Sequence, residues 1–274
     1  SYRTDLNGSR VQLQTCHNHK SATMKQRLNM PPYGYGTVVL EKRNRVTTLT
    51  LNRPSKLNSL NAYLVSDIHD ALDSIAADTQ TKVLIITGAG RSFSAGADVN
   101  RQLAALEDRI DPSDPLGPDI TEIAPHIRLM PQPVIAAING LTIGAGLSTA
   151  LASDIRVASE DATFSCMFVK RSLVPDAGCS FTLPKLVGMG TAMEMALTGN
   201  IYDAEWALHK GLVNCIVPAN ELMNYSLNLA SEIVNNPPIA VNSIKQLMYN
   251  HQPTLYEVLP LEHQANTPTK GTDD

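Results

Sequence analysis

Residues 134–154, VIAAINGLTIGAGLSTALASD, decide how the whole chain is read. The apolar run from Val134 to Ile138 lies between Pro133 and Asn139-Gly140; too short to span a membrane, it reads as a buried strand. Gly140, Gly144 and Gly146 then turn the chain, because glycine admits backbone geometry and close approach that a side chain forbids. The Ala, Leu, Ser and Thr residues that follow include no helix breaker and predict a helix. The first turn of such a helix carries unpaired N–H groups and the positive end of the dipole, so it can hold an anion or an oxyanion formed during a reaction. The same text reads equally as a tight packing turn that binds nothing.

The 274 residues around this stretch are 43% hydrophobic and 18% charged, enough to bury a large core as one domain or as a domain with an appendage. A net charge of -4 with no long basic run offers nucleic acid no general attraction. No apolar stretch reaches the ~18 residues of a membrane span. Cys16, Cys166, Cys179 and Cys215 are scattered, with no C-x-x-C and no cluster with histidine, so neither a disulfide framework nor a metal site is expected. This usage fits a reducing compartment: the cytoplasm first, or a peroxisomal or mitochondrial matrix in a eukaryote.

Residues 1–32 are polar, lack periodicity and do not open on methionine; they read as a flexible tail, an expression remnant or the stub of a processed targeting segment. Residues 33–218 read as the core and 219–274 as a C-terminal helical region. Within the core, 37–51 alternates around Lys-Arg-Asn-Arg as a hairpin does. Leu60, Leu64, Ile68, Leu72 and Ile75 recur at helical spacing and predict a helix over 62–77. Residues 83–86 read as a buried strand ended by Gly88-Ala89-Gly90. A second glycine-marked turn at Gly96 enters a helix near Ala97, an Asp- and Pro-rich irregular segment covers 111–118, and a further helix is expected around 119–129. Beyond the opening stretch, 154–157 and 163–165 read as strands, 169–188 as a loop into a short helix, and 189–199 and 203–210 as helices. A strand over 212–217 closes the core, and 220–250 reads as two helices split at Pro237-Pro238. Strands alternating with helices predict an α/β fold.

Two glycine-marked strand-to-helix turns, one ending at Ala97 and one at Ala145, are the main chemical clue, since two backbone N–H groups converging on one oxygen are what an enolate or tetrahedral oxyanion needs. Neither turn fits G-x-G-x-x-G, no G-x-x-x-x-G-K-[ST] occurs, and Ser94 and Ser148 are not in G-x-S-x-G; dinucleotide binding, triphosphate binding and serine hydrolysis are disfavoured. Asp176, in LVPDAGCS, is a carboxylate among apolar and small residues, where desolvation makes a carboxylate a better base. On the residues alone the plainer reading is a cap for the helix that follows. Asp98 reads as a cap or a ligand, and His69, Glu122 and His126 as members of solvated helix faces.

Five motifs in order, RPSKLNSLN, VLIITGAGRSFSAGADV, PQPVIAAINGLTIGAGLSTALASDIRVAS, VPDAGCSFTLPKLVG and ALTGNIYDAEWALHKGLVN, resemble the enoyl-CoA hydratase/isomerase (crotonase) superfamily over about residues 34–250. The resemblance implies a crotonase fold of repeated ββα units, with a C-terminal trimerisation region and assembly as a trimer or hexamer. It also implies action on a coenzyme A thioester, with CoA part of the substrate and no metal or redox cofactor. The N–H groups of Ala97 and Ala145 would form the oxyanion hole. Lys56 and Leu57 would lie by the CoA nucleotide, and Ala95, Asp98 and Val99 along the adenine and pantetheine path. Typical hydratases of the family carry two glutamates that hold water, at positions that look like Ser148 and Phe168 here. Asp176 falls where the similar Δ3,Δ2-enoyl-CoA isomerases carry glutamate and ring-epoxide acyl-CoA isomerases carry aspartate. The expectation is an isomerase with Asp176 as its acid/base. The rivals are hydratase or hydrolase action, in which Asp176 activates water or attacks as a nucleophile, and a non-catalytic acyl-CoA binder. The chain stops at Gly271-Thr272-Asp273-Asp274, where the resemblance places the start of a last helix, so the C-terminal region is expected to be truncated.

Overall fold

The computed structural model describes residues 36–98 and 120–249. The tail, the expected helix past Asp98, the 111–118 segment, Val99 and the C-terminal end lie outside them.

The first strands form the expected hairpin: β1 (Val38–Arg43) pairs antiparallel with β2 (Val46–Leu51), turning on Asn44 and Arg45, both at positive φ. The first helix, α1 (Ala62–Ala77), starts where Asn61 accepts a hydrogen bond from the Leu64 N–H through its side chain, a normal N-cap. Its Leu64, Ile68, Leu72 and Ile75 are buried, as their spacing predicts. Next come β3 (Val83–Gly88), β4 (Ser92–Ser94), α2 (Ile123–Leu129), β5 (Val134–Ile138), β6 (Leu141–Ile143), α3 (Ala145–Ala152), β7 (Ile155–Ser159) and β8 (Thr163–Ser165). The remainder is α4 (Cys179–Val187), α5 (Met189–Thr198), β9 (Ile201–Asp203), α6 (Ala204–His209), β10 (Cys215–Val217), α7 (Leu222–Val234) and α8 (Pro238–Tyr249).

A six-stranded sheet runs in the order β1-β2-β3-β5-β7-β10, parallel after the hairpin. Its central strands read as continuous apolar runs because both faces are covered. Leu84, Ile86, Ala136 and Ile138 join the core under α1, α2 and α3, whereas Val83, Ile85, Ile135 and Ala137 meet Leu222 and Ala230 of α7 on the other face.

A second sheet, β4-β6-β8-β9, stands beside the first. The sequence reading takes 139–144 as a bare turn and enters a helix near Ala97. Instead β6 occupies the first segment, and Ala97 forms a β-bridge with Leu60. The closing strand is also shorter than expected, with 212–214 outside it. Pairs β3-β4, β5-β6 and β7-β8 each send one strand to each sheet, the last two followed by α3 and α4. This is the repeated strand–strand–helix unit of the expected fold. No described helix is long and apolar enough to cross a membrane.

Candidate active site

The two glycine turns lie side by side because the strands that feed them are neighbours: β4 pairs parallel with β6, Ser94 opposite Thr142. Their main chains touch. A β-carbon at Gly96 would stand 2.7 Å from the Ile143 carbonyl oxygen and 3.3 Å from the Ala145 nitrogen. Gly144 adopts φ 54, ψ -126, a conformation that residues with a β-carbon avoid.

Each turn directs an amide away from the scaffold. In the bridge to Leu60, the Leu60 N–H donates to the Gly96 carbonyl at 2.8 Å, and the Leu60 carbonyl accepts the Asp98 N–H at 3.0 Å. That parallel pattern leaves the N–H of Ala97 pointing away from the 57–60 segment. Ala145 is the first residue of α3, so its N–H lies ahead of the helix's own bonding ladder. The flanking groups are occupied: the Gly144 N–H donates to Ser165 (3.1 Å), and the Gly144 carbonyl accepts the Ser148 N–H (3.0 Å).

Helix α4 begins after Gly178 at φ 76, which takes the N-cap position, two residues beyond Asp176. The aspartate sits on a turn held by two consecutive left-handed residues, Ala177 (φ 46) and Gly178. A positive φ at a buried alanine is strained backbone, of the kind found at functional sites. The Asp176 Oδ1 atom is withdrawn from solvent.

Ser148 connects the two halves of this region, a role the sequence reading misses. Its hydroxyl donates to the Asp176 carbonyl at 3.0 Å and lies 3.3 Å from the Gly144 carbonyl. The latter oxygen belongs to the peptide whose N–H is that of Ala145. One fully buried hydroxyl thus touches both the turn bearing the acid and the peptide bearing an oxyanion donor. Phe168, also buried, lies over Gly144, its ring 3.8 Å from where a β-carbon would be.

The residues expected along a CoA path are brought together where described. Lys56 ends a short 3-10 turn and is exposed, and Leu57 follows at φ 50. The Ala95 N–H donates to the Leu57 carbonyl at 2.9 Å. The Asp98 carboxylate holds Arg53: its Oδ2 accepts from both terminal nitrogens, at 3.2 and 3.3 Å. Asn58, also missed, locks the turn from within. Its Nδ2 donates to Ala89 and Ser92, and its Oδ1 accepts the Arg53 N–H. Such long-range bonds leave no periodic trace in a sequence; a left-handed asparagine (φ 53) marks the spot only in the fold. His69 and His126, read as solvated, instead meet across α1 and α2 with 2.8 Å between their Nδ1 atoms. Among the described residues no cluster of three or more His, Cys, Asp or Glu is placed to hold a metal.

A family model for enoyl-CoA hydratase/isomerase matches residues 41–274. The chain belongs to the enoyl-CoA hydratase/isomerase family. It is 37% identical over 212 residues to a short-chain-enoyl-CoA hydratase of Clostridium acetobutylicum, covering 76% of this chain and 79% of that protein. It is 35% identical over 209 residues to the 1,2-epoxyphenylacetyl-CoA isomerase of Escherichia coli K12, covering 73% and 77%. Among solved structures, an enoyl-CoA hydratase from Bacillus anthracis superposes with a TM-score of 0.79 at 32% identity, covering 87% and 92%. The crotonase fold expected from the motifs is therefore the fold of this chain. Hydratases and an isomerase stand among these relatives, so membership leaves the reaction to be argued from the site.

Proposed function

We propose that this chain is an acyl-CoA isomerase that moves the double bond of a 3-enoyl-CoA to the 2-position by a 1,3-proton shift. One observation carries the reading. At the positions that, by the resemblance, correspond to the water-holding glutamates of hydratases, this chain has Ser148, its hydroxyl donating to the Asp176 carbonyl, and Phe168, an apolar ring against Gly144. Asp176 supplies a carboxylate on a strained turn, tied to the helix that Ala145 opens.

In the proposed reaction the Asp176 carboxylate removes a proton from C2, and the electrons pass to the thioester oxygen as a dienolate. The N–H groups of Ala97 and Ala145 bind that oxygen, a pair of donors each worth on the order of 10²–10³ in rate in comparable sites. The Asp176 carboxylic acid returns the proton at C4, and the oxyanion collapses to the conjugated thioester. Substrate and product share one oxidation state, so the shift calls on no redox partner. Lys56, Leu57, Ala95 and the main chain at Asp98 would bind the CoA portion, with Val99 following them.

The fold also exposes a stripe suited to assembly. Met189, Met193 and Leu197 of α5, 65%, 48% and 66% exposed, recur every four residues on one helical face. Together with the exposed Ile201, they support association into the trimer or hexamer that the family resemblance implies.

The reaction is tested by incubating the purified protein with a 3-enoyl-CoA and a 2-enoyl-CoA, following both bond migration and water addition. Migration without hydration is expected. Rapid formation of 3-hydroxyacyl-CoA from the 2-enoyl ester would make the chain a hydratase, and binding without either reaction would make it an acyl-CoA binder.

A further inference from the structure

Two buried cysteines flank the Asp176 turn, and the proposed chemistry uses neither. Cys166 follows β8 directly, next to Ser165, whose carbonyl accepts the Gly144 N–H. Cys179 is the first residue of α4, and its N–H donates to the Asp176 carbonyl at 2.9 Å. Their sulfurs are 3.8 Å apart, although 13 residues separate them in sequence. The third described cysteine, Cys215, belongs to β10 in the other sheet.

We infer that Cys166 and Cys179 are an oxidisable dithiol, and that closing them into a disulfide reversibly displaces the Asp176 turn. The functional half of this inference rests on Asp176 being the acid/base; the bond itself does not. Bonded sulfurs stand about 2.05 Å apart, so closure draws the two side chains together by nearly half their present separation. Cys179 is tied through its N–H to the Asp176 carbonyl, which also receives the Ser148 hydroxyl, so the pull reaches the turn that carries the acid. A misplacement of about 1 Å at a reacting group can cost on the order of 10²-fold in rate.

The two thiols are unequal. The contact between the two sulfurs draws Cys166 below the usual thiol range, against its burial. That same contact and burial push Cys179 up. Whichever sulfur is oxidised first, the other stands 3.8 Å away as the resolving thiol. Both cysteines are fully buried, while their chain neighbours Gly178 and Ser180 are exposed. With hydrogen peroxide as oxidant, the thiolate of one cysteine attacks one peroxide oxygen, giving a sulfenic acid and hydroxide. The sulfur of the other cysteine then attacks the sulfenic sulfur and water leaves. Overall two thiols lose two protons and two electrons, and peroxide becomes two waters.

The test treats the full chain with hydrogen peroxide and follows intact mass, peptide maps and turnover of a 3-enoyl-CoA, before and after dithiothreitol. A loss of two hydrogens, a cross-linked peptide pair containing Cys166 and Cys179, and a fall in turnover of at least tenfold, reversed by dithiothreitol, are expected. A Cys16→Ala/Cys215→Ala variant should respond in the same way, and Cys166→Ala should form no cross-link and keep its turnover. A cross-link through other cysteines, none at all, or a cross-linked protein with full turnover would overturn the inference. Should the reduced protein fail to isomerise, the proposed reaction falls, while mass and peptide maps still decide whether the dithiol closes.

Discussion

At the scale of single residues, Ser148 makes the sharpest claim. Both carbonyls that its hydroxyl meets keep a main-chain partner: the Ser148 N–H serves Gly144 and the Cys179 N–H serves Asp176. Removing the hydroxyl should therefore cost the fold only about 1 kcal/mol, yet loosen the acid relative to the Ala145 amide. Ser148→Ala is expected to lower kcat on the order of tenfold with CoA-ester affinity unchanged, measured by steady-state kinetics beside a denaturation midpoint. Equal loss of stability and activity would reduce Ser148 to a packing residue. The motif around it was readable, because glycines and small residues at fixed places announce a tight turn. Its partnership with Asp176, 28 residues away in sequence, was not, because no local pattern encodes a contact that depends on where α4 docks.

At the scale of elements, two contacts can be tested. Helix α8 is pinned to the main sheet by Lys245, whose ammonium lies 3.0 Å from Asp154 and donates to the Gln132 carbonyl at 2.9 Å. Breaking a buried pair on one side leaves the other charge uncompensated, so Lys245→Met should cost about 3 kcal/mol, read from urea unfolding. Helices α1 and α2 meet at His69 and His126. Burial holds His126 below its ordinary value of 6.5, reinforced by His69 and opposed by Asp73. Below pH 6.5 the unfolded chain therefore binds more protons than the folded one, and stability should fall as pH drops from there through the lower folded value. His126→Gln should flatten that slope in thermal melts. The helix over 62–77 was legible because Leu64, Ile68, Leu72 and Ile75 keep one period with Leu60 just ahead of it; the Asn61 cap is seen only in the fold. Strands β4, β6 and β9 were not, since three residues beside a glycine turn or a helix show little alternation, although β8, equally short, was read as a strand.

At the scale of the whole molecule, the pairing of strands across two sheets brings both glycine turns and the Asp176 turn to one place. The repeat behind it is structural rather than textual, so the ordered motifs revealed the fold where internal similarity did not. The exposed Met189, Met193 and Leu197 stripe belongs to this scale too. Light scattering should report three or six subunits, and Met193→Glu with Leu197→Glu should yield smaller species; a monomeric parent protein would remove the stripe's assigned role. The central claim, that one carboxylate moves the proton, is tested most directly by Asp176→Asn. It should lower kcat for 3-enoyl-CoA isomerisation on the order of 10²–10⁴-fold while CoA-thioester affinity stays within about twofold. Isomerisation at close to the parent rate by that variant would contradict it.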